Sequence, residues 1–138
     1  MGRRKIARIP RESLERRWLT VFGAGVPKKK LRRYVEDQYI WHVFSWELLP
    51  EGSYLTGSDA QAAFSRVNKA QAFCIQPFEE AHVRPLPEAF TDPMAIDAQC
   101  VELYVVASDF TWTYIKTHEG SLCGPYFMWC GGRRDSAP

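Results

Sequence analysis

The chain has 138 residues, which is enough for one domain with its own hydrophobic core. Apolar residues make up 46% of it and charged residues 25%, which excludes wholesale disorder. The net charge is only +2, but residues 1–33 contain twelve Lys and Arg against two Glu, whereas residues 34–138 contain six against fourteen acids. A basic first quarter is therefore predicted to precede an acidic body.

Two helices are predicted in the first third of the chain. Residues 11–22 repeat apolar side chains at helical spacing and are followed by glycines typical of a helix end. Pro27 is suited to open a second helix over residues 28–37. Residues 39–48 are rich in aromatic and β-branched side chains, which favours a strand, although a continuation of the second helix fits equally well.

The middle of the chain predicts a helix, a strand and a loop. Ser58 is a suitable cap for a short helix over residues 58–70. Residues 71–78 follow as a strand, and the proline-rich residues 79–95 are typical of a long loop.

The last third predicts a β-meander. Residues 101–108 and 111–119 are β-rich runs separated by Asp109-Phe110, which indicates a hairpin, and residues 126–130 form a further strand. We therefore predict an α+β fold, in which N-terminal helices pack on an antiparallel meander sheet of about four to five strands. The domain spans residues 10–130 and is flanked by flexible tails.

Those tails are residues 1–9, which are basic, and residues 131–138. The first residues contain no apolar core of a secretory signal, and no apolar run approaches the roughly 20 residues of a membrane span. The sequence thus predicts a cytoplasmic protein without a membrane partner. Its four cysteines are expected to be free thiols, most of them buried.

Cysteine and histidine spacing predicts no metal site and no cofactor. The sequence has no C-x-x-C motif and no histidine pair at helical spacing, and its glycines do not form a phosphate-binding loop.

Nucleic-acid binding is one hypothesis for the function. Basic side chains of the first 33 residues can neutralise backbone phosphates, giving salt-sensitive binding without sequence preference. Acidic residues on the predicted sheet oppose this hypothesis, since they repel phosphates. The basic residues concerned are Arg3, Arg4, Lys5, Arg8, Lys28, Lys29, Lys30, Arg32 and Arg33.

A hydrolase-like enzyme centred on His118 and Glu119 is a second hypothesis. His118 lies near a predicted strand end, Asp109 or Glu47 can orient an imidazole, and Ser45 or Cys123 can act as nucleophile. No flanking signature of a known nucleophile accompanies them. A polar network that fixes the end of a strand is the competing interpretation.

Three segments carry a resemblance to a known family: YIWHVFSWE at 39–47, DFTWTYIKTHE at 109–119 and GPYF at 124–127. Together they resemble a family of small uncharacterised bacterial proteins known as a domain of unknown function. The resemblance covers roughly residues 11–130 and implies no activity. Small bacterial proteins of this kind are often immunity proteins or other binding partners.

The leading hypothesis is a non-enzymatic protein-binding module, such as an immunity-type protein that neutralises a bacterial partner. Its warrant is the excess of Trp and Tyr, which concentrate at interface hot spots, together with the lack of a supported catalytic set. A role in the core alone is the alternative for the Trp residues. The predicted cluster requires strand 39–47 to neighbour strand 111–119 and comprises Trp41, Trp46, Trp112, Tyr114, His118 and Glu119, to which His42, Glu47 and Asp109 are added as further contact residues.

Overall fold

The computed structural model describes residues 9–130. The predicted tails and the basic residues Arg3, Arg4, Lys5 and Arg8 lie outside this range, apart from Ile9. The Ile9 carbonyl accepts a hydrogen bond from the Val83 amide at 2.9 Å, so residue 9 already contacts the body of the fold.

Five helices and six strands make up this part of the chain. The helices are α1 (Arg11–Phe22), α2 (Lys28–Tyr34), α3 (His42–Ser45), α4 (Gly57–Arg66) and α5 (Pro93–Gln99). The strands are β1 (Leu55–Thr56), β2 (Ala72–Ile75), β3 (Arg84–Pro85), β4 (Leu103–Ala107), β5 (Trp112–Lys116) and β6 (Tyr126–Trp129). Two short 3-10 turns cover Glu88–Thr91 and Gly120–Leu122.

The strands form one antiparallel sheet in the order β1-β6-β5-β4-β2-β3. Strands β4, β5 and β6 are a meander, as predicted, because each is paired with the next along the chain. The α+β prediction is confirmed, with six strands instead of four to five, since the two-residue strands β1 and β3 extend the edges.

Helices cover both faces of the sheet, and a separate core fills each side. Alternation along β4 sends Tyr104 and Val106 to the face under α1–α3, and Leu103 and Val105 to the face under α4 and α5. We call these face one and face two. Face one also buries Trp18 and Trp41. The N-terminal helices thus pack on the sheet as predicted, but a second helical layer lies opposite them.

The strand predicted at residues 39–48 is wrong. This segment forms turns and the single helical turn α3, and its amides bond within the segment: His42 N to the Tyr39 carbonyl at 3.0 Å and Phe44 N to the Trp41 carbonyl at 2.9 Å. Ile40 and Val43 are buried against face one. The aromatic and β-branched side chains therefore reflect burial and not strand pairing.

The loop predicted at residues 79–95 is also partly wrong. It contains strand β3, the Glu88–Thr91 turn and the start of α5. Asp92 caps α5 by accepting a hydrogen bond from the Met94 amide at 3.1 Å, and Pro93 occupies the first helical position. Asp followed by Pro is a helix-start signal that the high proline content obscured.

All four cysteines are free thiols, as expected, but only Cys74 and Cys100 are buried. Cys123 is half-buried and Cys130 is exposed, so the expectation that most of them are buried holds for two of the four. Burial raises the pKa of the Cys74 thiol to about 12. Within residues 9–130, none of the helices combines the length and the apolar character that crossing a membrane needs.

Candidate functional site

A buried carboxylate forms the centre of the candidate site. The Glu102 side chain is fully inaccessible to solvent and accepts four hydrogen bonds. Its Oε2 accepts from Trp41 Nε1 at 3.0 Å and from the Tyr104 hydroxyl at 2.6 Å. Its Oε1 accepts from the His118 amide at 2.9 Å and from His118 Nδ1 at 2.7 Å. Four donors match the lone-pair sites of an ionised carboxylate, so no polar atom of this group is left without a partner.

The sheet register brings these residues together. Leu103 pairs with Lys116 across β4 and β5, so Glu102, just before β4, lies beside the residues that follow β5. Glu102 and Tyr104 are two residues apart and share face one, which places the hydroxyl over the carboxylate. Trp41 arrives from the segment preceding α3. The carboxylate thus ties the N-terminal layer to the end of the β4–β5 hairpin.

Six rings form a continuous line above this carboxylate, which we call the aromatic surface. Its members are Tyr34, Tyr39, His42, Trp46, Phe78 and His118. Their neighbouring centroids lie between 5.0 Å (Tyr39 to His118) and 6.2 Å (His42 to Trp46) apart. Trp46 is 55% exposed and Phe78 is 51% exposed, although side chains of these types are usually well buried.

His118 joins the buried carboxylate to the aromatic surface. A carboxylate can only accept, so the contact to Nδ1 requires a proton on that nitrogen. Nε2 lies 3.4 Å from Glu119 Oε2, and the imidazole is 26% exposed. The ring is therefore held between one buried and one half-exposed carboxylate, and its orientation is fixed.

His42 occupies a less polar position on the same surface. Its Nδ1 lies 2.9 Å from the Ser45 hydroxyl within the turn α3, and its ring contacts Trp41 at 4.7 Å between centroids. Burial lowers the pKa of His42, an effect that the Glu102 carboxylate partly opposes. The neutral form of the His42 imidazole is thus favoured.

Part of the predicted cluster comes together. Trp41, His42, His118 and Glu119 converge around Glu102, and Trp46 lies at 6.2 Å from His42 within the same surface. Trp41 is only 2% exposed, so it lies beneath the aromatic surface and supports the exposed rings.

Two predicted members are elsewhere, which corrects the expectation of one cluster. Trp112 and Tyr114 point to face two, where Tyr114 stacks on Phe64 at 4.2 Å between centroids, and both are buried. The physical reason is the alternation of strand β5, which sends these two side chains away from Thr113 and Ile115. For Trp112 and Tyr114, the core interpretation is the one that the structure supports.

Asp109 has a local structural role, and Glu47 is exposed beside the aromatic surface. Asp109 lies at the turn between β4 and β5, where Oδ1 accepts from the Thr111 amide at 3.2 Å and its hydroxyl at 2.7 Å. Because β5 separates this turn from His118, Asp109 is at the opposite end of the strand. Glu47 follows the turn α3 in a left-handed conformation with φ 54°, next to the exposed Trp46.

The central residue, Glu102, escaped the sequence-based prediction, as did Tyr39, Tyr104 and Phe78. A signal was present: Glu102 is the one acid in the β-rich run VELYVVA, and it shares a face with Tyr104. An acid inside such a strand must find buried donors. Phe78 stands outside every aromatic motif, and only the tertiary fold brings it to His118.

His118 is the group of this site whose contacts bear most directly on chemistry. A carboxylate that orients an imidazole is suited to general acid–base work. Among residues 9–130, however, no Ser, Thr or Cys side chain hydrogen-bonds to His118, and Ser45 bonds to His42 instead. The same part of the chain holds no cluster of three or more His, Cys, Asp or Glu suited to a metal ion.

Five of the basic residues predicted for nucleic acid lie within residues 9–130, all of them on helix α2. Lys28, Lys29, Lys30, Arg32 and Arg33 are all exposed on helix α2. Arg33 places its guanidinium carbon 5.5 Å from the centroid of the Tyr34 ring, so α2 meets one end of the aromatic surface.

A family model described as a domain of unknown function, DUF4275, matches residues 5–127. The chain belongs to this family. The match includes both the aromatic surface and the Glu102 network, and it agrees with the resemblance expected from the three sequence segments. No curated protein and no solved structure matches the chain of this DUF4275 member.

Proposed function

We propose that this DUF4275 protein is a non-enzymatic protein-binding module that acts through the aromatic surface. The observation that carries the proposal is the continuous line of six rings, with Trp46 and Phe78 half-exposed. Aromatic anchors of this kind supply most of the binding energy at protein interfaces.

The Glu102 network supports this proposal because it fixes the surface before a partner arrives. Trp41 and His118 are both bonded to one carboxylate, and Tyr39 stacks on Trp41 at 5.1 Å with an interplanar angle of 9°. Side chains already held in place lose little conformational entropy on binding. An immunity-type role, in which the protein neutralises a bacterial partner by covering its surface, is the form of this function that we propose.

The test uses photo-crosslinking in a lysate of the source organism. Trp46→Ala and Phe78→Ala remove the exposed rings without touching the Glu102 network, so both should fold and both should lose the crosslinked partner. Met94→Ala is the matched control, since Met94 is 74% exposed on α5, across the sheet from the aromatic surface, and should keep the partner.

Thermal unfolding of each variant separates loss of binding from loss of structure. Equal capture by wild-type protein, Trp46→Ala and Phe78→Ala would contradict the proposal. For the immunity-type role, co-expression with the captured partner should restore growth of a host that the partner inhibits, and Trp46→Ala should weaken that protection.

Nucleic-acid binding through α2 is a second candidate. The observation that favours it is five exposed basic side chains in a seven-residue helix, none of which forms an ion pair within residues 9–130. Binding to single-stranded RNA should then weaken steeply between low and physiological salt, and replacing Lys28, Lys29 and Lys30 by Ala should reduce the salt dependence. RNA binding that changes neither with the salt concentration nor with the lysine substitutions would exclude nucleic-acid binding through α2.

A further inference from the structure

One end of the aromatic surface is a triangle of rings. Tyr39, Phe78 and His118 contact one another, with centroids 5.0 Å (Tyr39 to His118), 5.4 Å (Phe78 to His118) and 6.2 Å (Tyr39 to Phe78) apart. The Tyr39 and Phe78 rings are nearly perpendicular, at 73°. Rings set at steep angles offer several π faces to one ligand, which is the arrangement that recognises organic cations.

Acidic side chains surround this triangle. Glu119 is 43% exposed beside His118, and Glu79 is exposed directly after Phe78. In and around the triangle, the three carboxyl side chains of Glu79, Glu102 and Glu119 outnumber the one imidazole, His118. The acidic side chains therefore favour a cation as the ligand.

The nearby basic side chains already have partners. Arg11 donates to the Pro77 carbonyl at 3.1 Å and lies 3.6 Å from Glu15, and Arg84 lies 2.8 Å from Glu80. Residues 39–47, 76–80 and 117–119, which supply the triangle and its surroundings, contain no Lys or Arg. These segments therefore contribute no basic side chain that would oppose the attraction of Glu79 and Glu119 for a cation.

We propose that this triangle binds a cationic side chain, arginine or lysine, of the partner protein. The proposal rests on the protein-binding function above and names the chemistry of the partner. The guanidinium or ammonium group lies over the Phe78 and Tyr39 rings and forms an ion pair with Glu119. The molecule already uses the ring part of this contact internally, because Arg17 lies 4.5 Å from the centroid of Phe110.

The test measures binding of a short Gly-Arg repeat peptide with blocked termini to the purified chain by NMR. The matched control peptide carries citrulline, which keeps the shape of arginine and lacks its charge. We expect the arginine peptide to shift the His118 ring resonances and the citrulline peptide to leave them in place. Phe78→Ala and Glu119→Gln should each weaken binding by about fivefold, as cation–π and partly exposed charge contacts do.

Two control variants test the site itself. Glu88→Gln removes an exposed acid, and Met94→Ala an exposed apolar side chain, both among elements that pack on face two. Neither should change the affinity for the arginine peptide. Equal binding of both peptides, no binding of either, or equal losses in the control variants would each overturn the cationic-ligand proposal.

The outcome is separable from that of the proposed function. Suppose that crosslinking of a partner depends on Trp46 but the arginine peptide does not bind. This result would support the protein-binding function and refute the cationic-ligand proposal. Arginine binding that depends on Phe78 and Glu119, together with no Trp46-dependent partner, would support the cation site and refute the wider interface.

Discussion

Face one and face two both bury aromatic side chains with polar atoms, yet they treat those atoms differently. On face one, Trp41 Nε1 and the Tyr104 hydroxyl reach Glu102, and Trp18 Nε1 donates to the Thr113 hydroxyl at 2.9 Å. On face two, the buried Trp129 Nε1 has no hydrogen-bond partner among residues 9–130, and the buried Tyr114 hydroxyl has at most a loose contact with the Gln61 side chain.

The contrast teaches that the two faces have different tasks. A satisfied buried network adds geometric definition, because each donor has only one suitable acceptor. Face two obtains stability from ring packing, such as Phe64 on Tyr114. Face one obtains in addition a fixed orientation for Trp41 and His118, which support the aromatic surface.

Removing the Glu102 carboxylate should have the largest effect on stability, because it removes the hydrogen-bond network that distinguishes face one from face two. Glu102→Ala leaves four donors without their acceptor, and we expect the free energy of unfolding to fall by about 3–5 kcal/mol, as for other broken buried pairs. Urea denaturation measures this fall, with Glu88→Ala as the exposed control. If Glu102→Ala does not fold, Glu102→Gln is the milder variant. A fall below about 1 kcal/mol would show that the network does not hold face one together.

Variants of the two buried tyrosines should test the difference between face one and face two, with an effect of intermediate size on stability. Tyr104→Phe removes a hydrogen bond to a carboxylate, and we expect a loss of about 1.5–3 kcal/mol in the free energy of unfolding. Tyr114→Phe removes a buried hydroxyl that has at most a loose contact with Gln61, and we expect no loss, or a small gain, in the free energy of unfolding. Both variants keep the ring, so chemical denaturation compares the hydroxyls alone. Equal losses would refute the assigned difference between the faces.

Acid sensitivity at His42 is the smallest expected effect. Because burial lowers the pKa of His42 in the folded state, the unfolded chain binds the proton more readily. The resulting stability is fully present above the ordinary pKa of 6.5 and is lost as the pH falls through it towards the lowered pKa of the folded state. Denaturation midpoints of wild-type protein and His42→Gln, compared between neutral and mildly acidic pH, should show a shallower decline for the variant. Parallel declines would contradict this origin.

Much of the fold could be predicted from the sequence. The α+β class, the helix over residues 11–22 and the meander of the last third follow from local periodicity. Residues 39–48 misled because buried aromatic side chains suit a packed turn as well as a strand. Trp41 lies on face one, whereas alternation along strand β5 sends Trp112 and Tyr114 to face two. The spacing of these residues within the sequence motifs does not show this difference.

The candidate site was harder to predict because its central contacts are not local. His118 and Trp41 could be singled out as aromatic or titratable residues, but their meeting depends on the register that places Glu102 beside the end of β5. Phe78 carries no signal in its own segment. Sheet register and loop placement, which sequence patterns specify weakly, decide both.

The Glu102 carboxylate has a consequence for folding and for solvent exchange. It joins a side chain 61 residues before it to an amide 16 residues after it, so the network closes only when the N-terminal layer has docked on the completed hairpin. We therefore expect the indole proton of Trp41 and the amide proton of His118 to share one opening event. Hydrogen–deuterium exchange of these two protons should give the same free energy of opening. Measuring the two protons therefore tests whether all of face one is assembled.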